Sequence, residues 1–353
     1  MNIKLKKARL ILLAPFGVIY GVVAWLRRKF HTKPFIPKTP TICIGNIAVG
    51  GTGKTPLTEY LIRLLAEENV AVLSRGYGRK TKGFLITTGG EIEVTAETFG
   101  DEPTQMHQKF PQIPIAVCEK RKIGIEKLEK GIAPRVILLD DAFQHVQVQC
   151  GKKILLAEYA RPYWRDFPMP AGNLREFACA AQTADIIIVS KCPKTITEED
   201  TAKFQQSMRL TASQRCYFSA IAYNKITAAN RIAHQTNPTS ETPVFLLTGI
   251  ANPKPLYNHV KMLFENVTTF EFSDHHNFNK TEIQRLCQKM AESKEKSILI
   301  TTEKDWMRLQ NTEIEEFLKQ IPIFVVPIHI EFLFNKEVEF RQEISNYLLE
   351  SGD

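Results

Sequence analysis

The stretch from Thr41 to Pro56, T-I-C-I-G-N-I-A-V-G-G-T-G-K-T-P, decides how the rest of the chain is read. A short apolar strand over 41–44 runs into a glycine-rich turn and then into Gly53-Lys54-Thr55. Leu57, Tyr60, Leu61, Leu64 and Leu65 follow at the i, i+3, i+4, i+7, i+8 spacing of an amphipathic helix. Strand, loop and helix in that order are the context of a P-loop. Glycines let the backbone wrap closely around a phosphate, and the first-turn N–H groups and the helix dipole then hold the anion. The expected cradle is Ala48, Val49, Gly50, Gly51, Thr52, Gly53, Lys54 and Thr55. In such a loop the lysine reaches the β/γ-phosphates and the following hydroxyl ligates Mg²⁺. One position departs from G-x-x-x-x-G-K-[ST], because Ala48 stands where the first glycine belongs. A glycine-rich turn that binds nothing is the plainer reading, and the fitting strand and helix on either side weigh against it.

Working outward, residues 10–26 form an uncharged, mostly apolar run between Lys4, Lys6, Lys7 and Arg9 on one side and Arg27, Arg28 and Lys29 on the other. The first 38 residues carry nine positive charges and no negative one, against a net charge of +8 for the whole chain. The remainder is therefore close to neutral, and the basic balance belongs to the N-terminus. That argues against a general nucleic-acid surface and for a membrane face with anionic headgroups. A spanning helix needs roughly 20 apolar residues, and Pro15, Gly17 and Gly21 interrupt this one. Basic residues at both ends suit a helix lying in the interface or dipping into one leaflet. A signal peptide would need a small-x-small cleavage site, which is not evident before Arg27, and would carry a P-loop away from ATP. A helix hairpin buried in the core is the remaining alternative.

With 353 residues the chain is long enough for two domains with substantial cores. Its seven cysteines are odd in number and include no C-x-x-C, so neither a disulfide framework nor a thiolate zinc site is indicated, and a reducing cytosol is expected. Strands are expected at 42–44, 70–73, 84–87, 113–117, 136–139, 154–157 and 186–189, several of them continuous Val/Ile/Leu runs of the kind buried on both faces of a parallel sheet. Residues 228–243 are rich in Asn, Thr, Ser and Pro and read as a loop or linker. A second set of strands follows at 244–247, 267–272, 298–301 and 323–326, separated by helical patterns such as 281–290. The expectation is an α/β protein: a P-loop-type parallel sheet core over 40–225, a smaller α/β lobe over 226–353 and an N-terminal membrane-associated helix over 1–39, with a cleft between the lobes.

Chemistry gathers at strand ends. Val136-Ile-Leu-Leu-Asp140-Asp141 is an apolar strand ending in acid, and an aspartate there can hold the Mg²⁺ of a bound nucleotide. Gln144 and His145 follow in the same loop. Gly100-Asp101-Glu102-Pro103 is a second acidic turn, expected in a loop ahead of a helix at 104–110. Gly172-Asn-Leu-Arg175-Glu176 offers a loop arginine, whose planar fork suits phosphate. Ser273-Asp274-His275-His276 closes a strand of the second lobe, where a histidine beside an aspartate could be a metal ligand or a base with its orienter. Each of these alone is more often a solvated strand end or an ordinary surface residue.

Taken together, G-N-I-A-V-G-G-T-G-K-T-P, S-R-G-Y-G-R (residues 74–79), G-D-E-P, L-D-D-A-F-Q-H (139–145), G-N-L-R-E, T-G-I-A-N-P (248–253), F-S-D-H-H and T-E-K-D (302–305) resemble the tetraacyldisaccharide 4'-kinases of lipid A biosynthesis. The resemblance runs from the basic N-terminal helix to about Asp305, and the departure is Ala142, where the family more often has glycine. It implies transfer of the γ-phosphoryl of ATP to the 4'-hydroxyl of a tetraacyldisaccharide 1-phosphate, at the cytoplasmic face of the inner membrane. It implies Lys54 at the β/γ-phosphates, and Thr55 with Asp140 or Asp141 at Mg²⁺. Asp101 is the implied base, with His275, or less securely His276, as its partner. Glu102, His145 and Arg175 are implied to line the phosphate and metal region, with Gln144 beside them. No nucleic acid and no protein partner is implied. The alternative is a membrane-cycling ATPase of the MinD/ParA type, whose extra lysine would fall at Val49, or a scaffold with a decayed P-loop, against which Lys54, Thr55, Asp140 and Asp141 stand intact.

Overall fold

The computed structural model describes residues 3–31, 33–89, 92–274, 276–293, 296–310 and 312–351. Its strands are β1 (Thr41–Gly45), β2 (Val70–Ser74), β3 (Leu85–Ile86), β4 (Ile115–Val117), β5 (Val136–Asp140), β6 (Lys152–Glu158), β7 (Ile186–Ser190), β8 (Arg215–Tyr223), β9 (Thr227–Ala228), β10 (Val244–Thr248), β11 (Val267–Glu271), β12 (Ile298–Thr302), β13 (Ile323–Val326) and β14 (Ile328–Phe332). Its helices are α1 (Ile3–Lys29), α2 (Lys54–Leu64), α3 (Ala96–Phe99), α4 (Asp101–Lys109), α5 (Arg121–Gly131), α6 (Glu198–Met208), α7 (Arg231–His234), α8 (Lys254–Leu263), α9 (Lys280–Ala291), α10 (Glu303–Leu309), α11 (Thr312–Leu318) and α12 (Glu337–Glu350).

Nine strands form one sheet in the order β14-β8-β7-β6-β1-β5-β2-β4-β3, and five form a second in the order β11-β10-β12-β13-β9. The inner strands of the first sheet are parallel, with β1 between β5 and β6. Every residue of β1, β2, β5 and β7 is buried, as their largely apolar content suits strands covered on both faces. One face packs under α2 and α12, where Leu57, Leu61, Phe340, Ile344 and Leu348 meet Ile42, Ile44 and Leu138. The other carries Cys43, Leu73, Leu139, Phe143 and Leu155 with Ile125 and Leu128 of α5. The loops after the carboxyl ends of β1, β5 and β7 open on the same edge, where ligands of open α/β sheets bind.

The chain passes between the lobes twice, and the two passages run side by side. Tyr223 of β8 faces Ile328 of β14 in one sheet, Thr227 of β9 faces Val325 of β13 in the other, and Asn224 donates its N–H to the Pro327 carbonyl at 2.9 Å between them. The expected single C-terminal lobe over 226–353 therefore ends early, since β14 and α12 return to the first sheet. The apolar faces of Ile330, Phe332 and Phe340 find their partners there, with Phe332 and Phe340 stacked at 4.6 Å. The stretch 228–243, read as a linker, holds the end of β9 and the short α7. Asn230 orders it by accepting from the Ala233 N–H at 3.0 Å and donating to the Ile321 carbonyl at 2.8 Å.

Helix α1 lies against the loop between β6 and β7. It makes that approach at glycines: a β-carbon on Gly17 would sit 2.7 Å from the Pro168 carbonyl, and one on Gly21 2.6 Å from the Phe177 ring. Arg28, about two turns further along, donates from Nε and Nη2 to the two oxygens of Glu176 at 3.0 and 2.9 Å. The opposite face is apolar and exposed, with Leu12, Phe16, Ile19 and Val23 outward. Pro15 sits inside the helix, and among the described residues no helix is long and apolar enough to cross a membrane.

Candidate active site

The loop after β1 turns on Gly50 and Gly53, whose φ angles of 107° and 90° belong to the left-handed region that favours glycine. Gly53 is the N-cap of α2, so Lys54 and Thr55 open the helix with its unpaired N–H groups around them. The loop is braced from three sides. Asn46 donates to the Thr52 hydroxyl at 2.9 Å, Ser190 at the end of β7 donates to the Thr52 carbonyl at 2.7 Å, and Lys191 donates to the Gly51 carbonyl. Val49 N–H bonds the Asn173 carbonyl at 2.9 Å and Arg175 N–H bonds the Ile47 carbonyl at 2.8 Å. Ala48 thus pairs with Leu174 as an antiparallel bridge, an extended conformation in which a β-carbon costs nothing. That accounts for alanine where the P-loop pattern has glycine.

The same pairing delivers Arg175 to the acidic strand end. Its guanidinium donates to Asp141 at 3.2 Å and to Gln144 at 3.4 Å, and Lys54 Nζ lies 3.5 Å from the same Asp141 oxygen. Burial pushes the Asp141 carboxyl up, but Lys54 and Arg175 outweigh it and hold it below the usual carboxylate range. Asp141 takes a left-handed φ of 46°. Gln144 donates to the Asn46 carbonyl and reaches Glu176 at 3.4 Å.

Asp140 has the opposite environment. It is buried in the sheet edge and, among the described residues, its side chain accepts from hydroxyls, Thr58 at 3.2 Å and Ser74 at 3.3 Å. Burial, then the charges of Glu102 and Asp141, raise its pKa to about 7, while Lys54 and Arg121 pull the other way. Arg121, fully buried, donates to the Asp140 and Cys118 carbonyls at 2.9 and 2.7 Å and so sits behind the strand end. His145 is lowered to about 4 by burial and by the charges of Arg121, Arg75 and Arg27, and is neutral at pH 7.

Asp101 does not lie in a loop. It is the first residue of α4, because Gly100 at φ 94° ends α3 and turns directly into the next helix, and Pro103 falls in the first turn, where a missing N–H is harmless. Its carboxylate accepts from Arg308 Nε of the second lobe at 2.8 Å, and Glu102 beside it pairs with Lys304 at 3.3 Å. Lys109 on the same helix joins Glu59 and Glu303 at 2.6 and 2.7 Å. His276 is turned elsewhere: its ring stacks on Phe272 at 4.6 Å and bonds Glu282 at 2.9 Å. His275 lies outside the described residues. Arg121, Thr58 and Arg308, which no motif in the sequence marks, each touch an acidic residue of the site.

A strand ending in a glycine-framed loop, with its lysine set against an acidic neighbouring strand end, defines a P-loop α/β protein of the nucleotide-binding class. Comparison with known proteins narrows the class. Residues 9–349 match the family described as Tetraacyldisaccharide-1-P 4'-kinase. Proteins named tetraacyldisaccharide 4'-kinase match along almost their whole length: one from Bacteroides thetaiotaomicron is 41% identical over 96% of this chain and 93% of its own. One from Flavobacterium johnsoniae is 39% identical over 96% and 97%. A crystal structure of LpxK from Aquifex aeolicus in complex with ATP superposes with a TM-score of 0.71 at 24% identity, covering 96% of this chain and 99% of that one. The chain belongs to the tetraacyldisaccharide 4'-kinase family.

Proposed function

We propose that this protein transfers the γ-phosphoryl group of ATP to the 4'-hydroxyl of a tetraacyldisaccharide 1-phosphate. The observation that carries the reading is the convergence of Lys54 and Arg175 on Asp141 at the mouth of the P-loop. Two cations held by one half-buried carboxylate are a site ready for phosphate. As the nucleotide enters, Lys54 turns to the β/γ-phosphates and Arg175 to the γ-phosphoryl, which frees the Asp141 carboxylate.

The residues also fit Mg²⁺. Asp140 is a carboxyl raised by burial and by two neighbouring acids, an arrangement that a divalent cation relieves. Among the described residues no group of three or more His, Cys, Asp or Glu is gathered to hold a metal. That suits an ion which takes one or two carboxylates, a hydroxyl and the substrate's phosphates. Thr55, Asp140 or Asp141, and Glu102 nearby, are the residues that would hold it, and bound there it would neutralise charge on the phosphates. Asp101 takes the proton of the sugar hydroxyl as that oxygen bonds to the γ-phosphorus; the bond to the β–γ bridging oxygen breaks, and ADP leaves. His275 is the proposed partner of Asp101.

The acyl chains of such an acceptor reside in a bilayer, so the enzyme must work at its surface. The exposed apolar face of α1, ending in Arg27 and Lys29, is proposed to lie in the interface of the inner membrane's cytoplasmic leaflet. Lys54→Ala tests the nucleotide half of the reading: transfer to the glycolipid is lost while the fold survives. Near-normal turnover in that variant would remove the P-loop from the mechanism.

A further inference from the structure

The second lobe carries two motifs, T-G-I at 248–250 and T-E-K-D at 302–305. They meet at one buried carboxylate. Asp305 is 0% exposed. Its Oδ2 accepts from the Gly249 N–H at 2.9 Å and from the Thr302 hydroxyl at 2.8 Å, and its Oδ1 accepts from Arg308 Nη1 at 3.0 Å. The loop comes so close that a β-carbon on Gly249 would stand 3.0 Å from Asp305 Oδ1. Burial pushes the Asp305 carboxyl up, and these bonds with the Arg308 charge pull it back.

Arg308 is itself only 5% exposed at its side chain. Asp305 and the Gly249 carbonyl, 3.3 Å from Nη1, fix the plane of its guanidinium. Its Nε then points across the lobe boundary and donates to Asp101 Oδ2 at 2.8 Å. A guanidinium is the group for this task, since a rigid fork can serve two carboxylates at set angles where an ammonium offers a single point.

We propose that Arg308 is a positioning residue for the phosphoryl transfer: it holds Oδ2 of Asp101 so that Oδ1 faces the sugar hydroxyl. Because Arg308 belongs to the second lobe, the base is aligned only when α10 is seated against α4. Asp305, Thr302 and Gly249 serve to hold the arginine. The inference rests on Asp101 being the base. A misplacement of about 1 Å at a reacting group costs up to about 10²-fold in rate, which sets the scale expected.

The test measures kcat and KM with ATP and the glycolipid acceptor for Asp101→Asn, Arg308→Gln, Arg308→Lys and the double variant Asp101→Asn/Arg308→Gln. Arg308→Gln is expected to lower kcat by roughly 10- to 100-fold with the KM for ATP within about twofold. The double variant is expected to be no slower than Asp101→Asn alone, since residues that act as a unit are not additive. Arg308→Lys keeps the charge beside Asp305, guarding against a simple folding defect, and is still expected to be at least about fivefold slow because one ammonium cannot bridge both carboxylates. A slow Asp101→Asn beside an Arg308→Lys at the wild-type rate would overturn the positioning role and leave the base standing. Multiplicative losses in the double variant would do the same. Wild-type transfer by Asp101→Asn would overturn the base, and the positioning role with it.

Discussion

Arg28 and Glu176 join the N-terminal helix to the nucleotide site: the guanidinium spans both carboxylate oxygens at 3.0 and 2.9 Å, and the Glu176 side chain is almost wholly buried. Arg175, the preceding residue, pairs with Asp141. The helix that presents an apolar face outward is thus fastened one peptide bond away from the arginine proposed to meet the γ-phosphoryl. Breaking a buried pair on one side leaves a charge without its counter-ion, at a cost of about 3–5 kcal/mol. Arg28→Met should show much of that loss in urea unfolding. Arg28→Met combined with Glu176→Leu should recover most of it, and a double variant as unstable as the single would mean that the pair's charge is not what matters.

The outward face of α1 makes a separate prediction. Phe16, Ile19 and Val23 are exposed, and each such side chain contributes about 1.5–3 kcal/mol when it leaves water. Replacing all three by serine should abolish flotation with anionic phospholipid vesicles while ATP binding is kept. Flotation undiminished in that variant would place the membrane contact on another surface.

Docking of the helix depends on closeness of approach. A valine at Gly17 meets the Pro168 carbonyl, which is backbone and has little room to yield. Gly17→Val should therefore pry α1 from the core and speed tryptic cleavage after Arg27 and Arg28. An unchanged cleavage rate would show that the contact yields without cost.

Asp140 should trade stability for function. Its pKa in the metal-free protein is raised to about 7, so between its ordinary value near 3.8 and pH 7 the folded state holds a proton that the unfolded state has released. Folding stability in the absence of metal accordingly falls as the pH rises through that window, and the loss is complete above it. Asp140→Asn removes the penalty and can keep the Thr58 and Ser74 hydroxyl bonds. At pH 8 in EDTA the variant should melt several degrees above the wild type, since about 1 kcal/mol moves a domain of this size by about 2–4 °C. It should nonetheless lose transfer activity. A lower melting temperature would contradict the environment assigned to Asp140.

His145 gives the acid counterpart. A histidine lowered to about 4 is neutral when folded, whereas its unfolded form gains a proton near pH 6.5. Its contribution is intact above that pH and is lost progressively as the pH falls from about 6.5 to about 4. His145→Asn should flatten this part of the stability profile; an unaltered slope would assign the acid sensitivity to other groups.

Much of this was legible in the sequence because it depends on local order. The P-loop, the continuous Val/Ile/Leu strands and the acid ending β5 declare themselves within short windows, and Arg175 could be guessed from its loop. What was missed is long-range. Arg308 lies 207 residues from Asp101, and nothing in its neighbourhood says which carboxylate it meets. Arg121 reads as an ordinary helix-start residue until the sheet folds over it. The return of β14 and α12 to the first sheet was hidden because an apolar strand does not announce which sheet it joins. Asp101 reads as a loop residue because G-D-x-P is ordinary turn chemistry, although proline is equally welcome in a helix's first turn, which is where Pro103 falls.

The most direct test of the central claim is to incubate the purified protein with γ-labelled ATP, Mg²⁺ and tetraacyldisaccharide 1-phosphate and to locate the label. The account predicts one labelled phosphate per disaccharide, on the 4'-oxygen, and none with Lys54→Ala. Release of labelled inorganic phosphate with an unlabelled glycolipid, or a label at another oxygen, would contradict it.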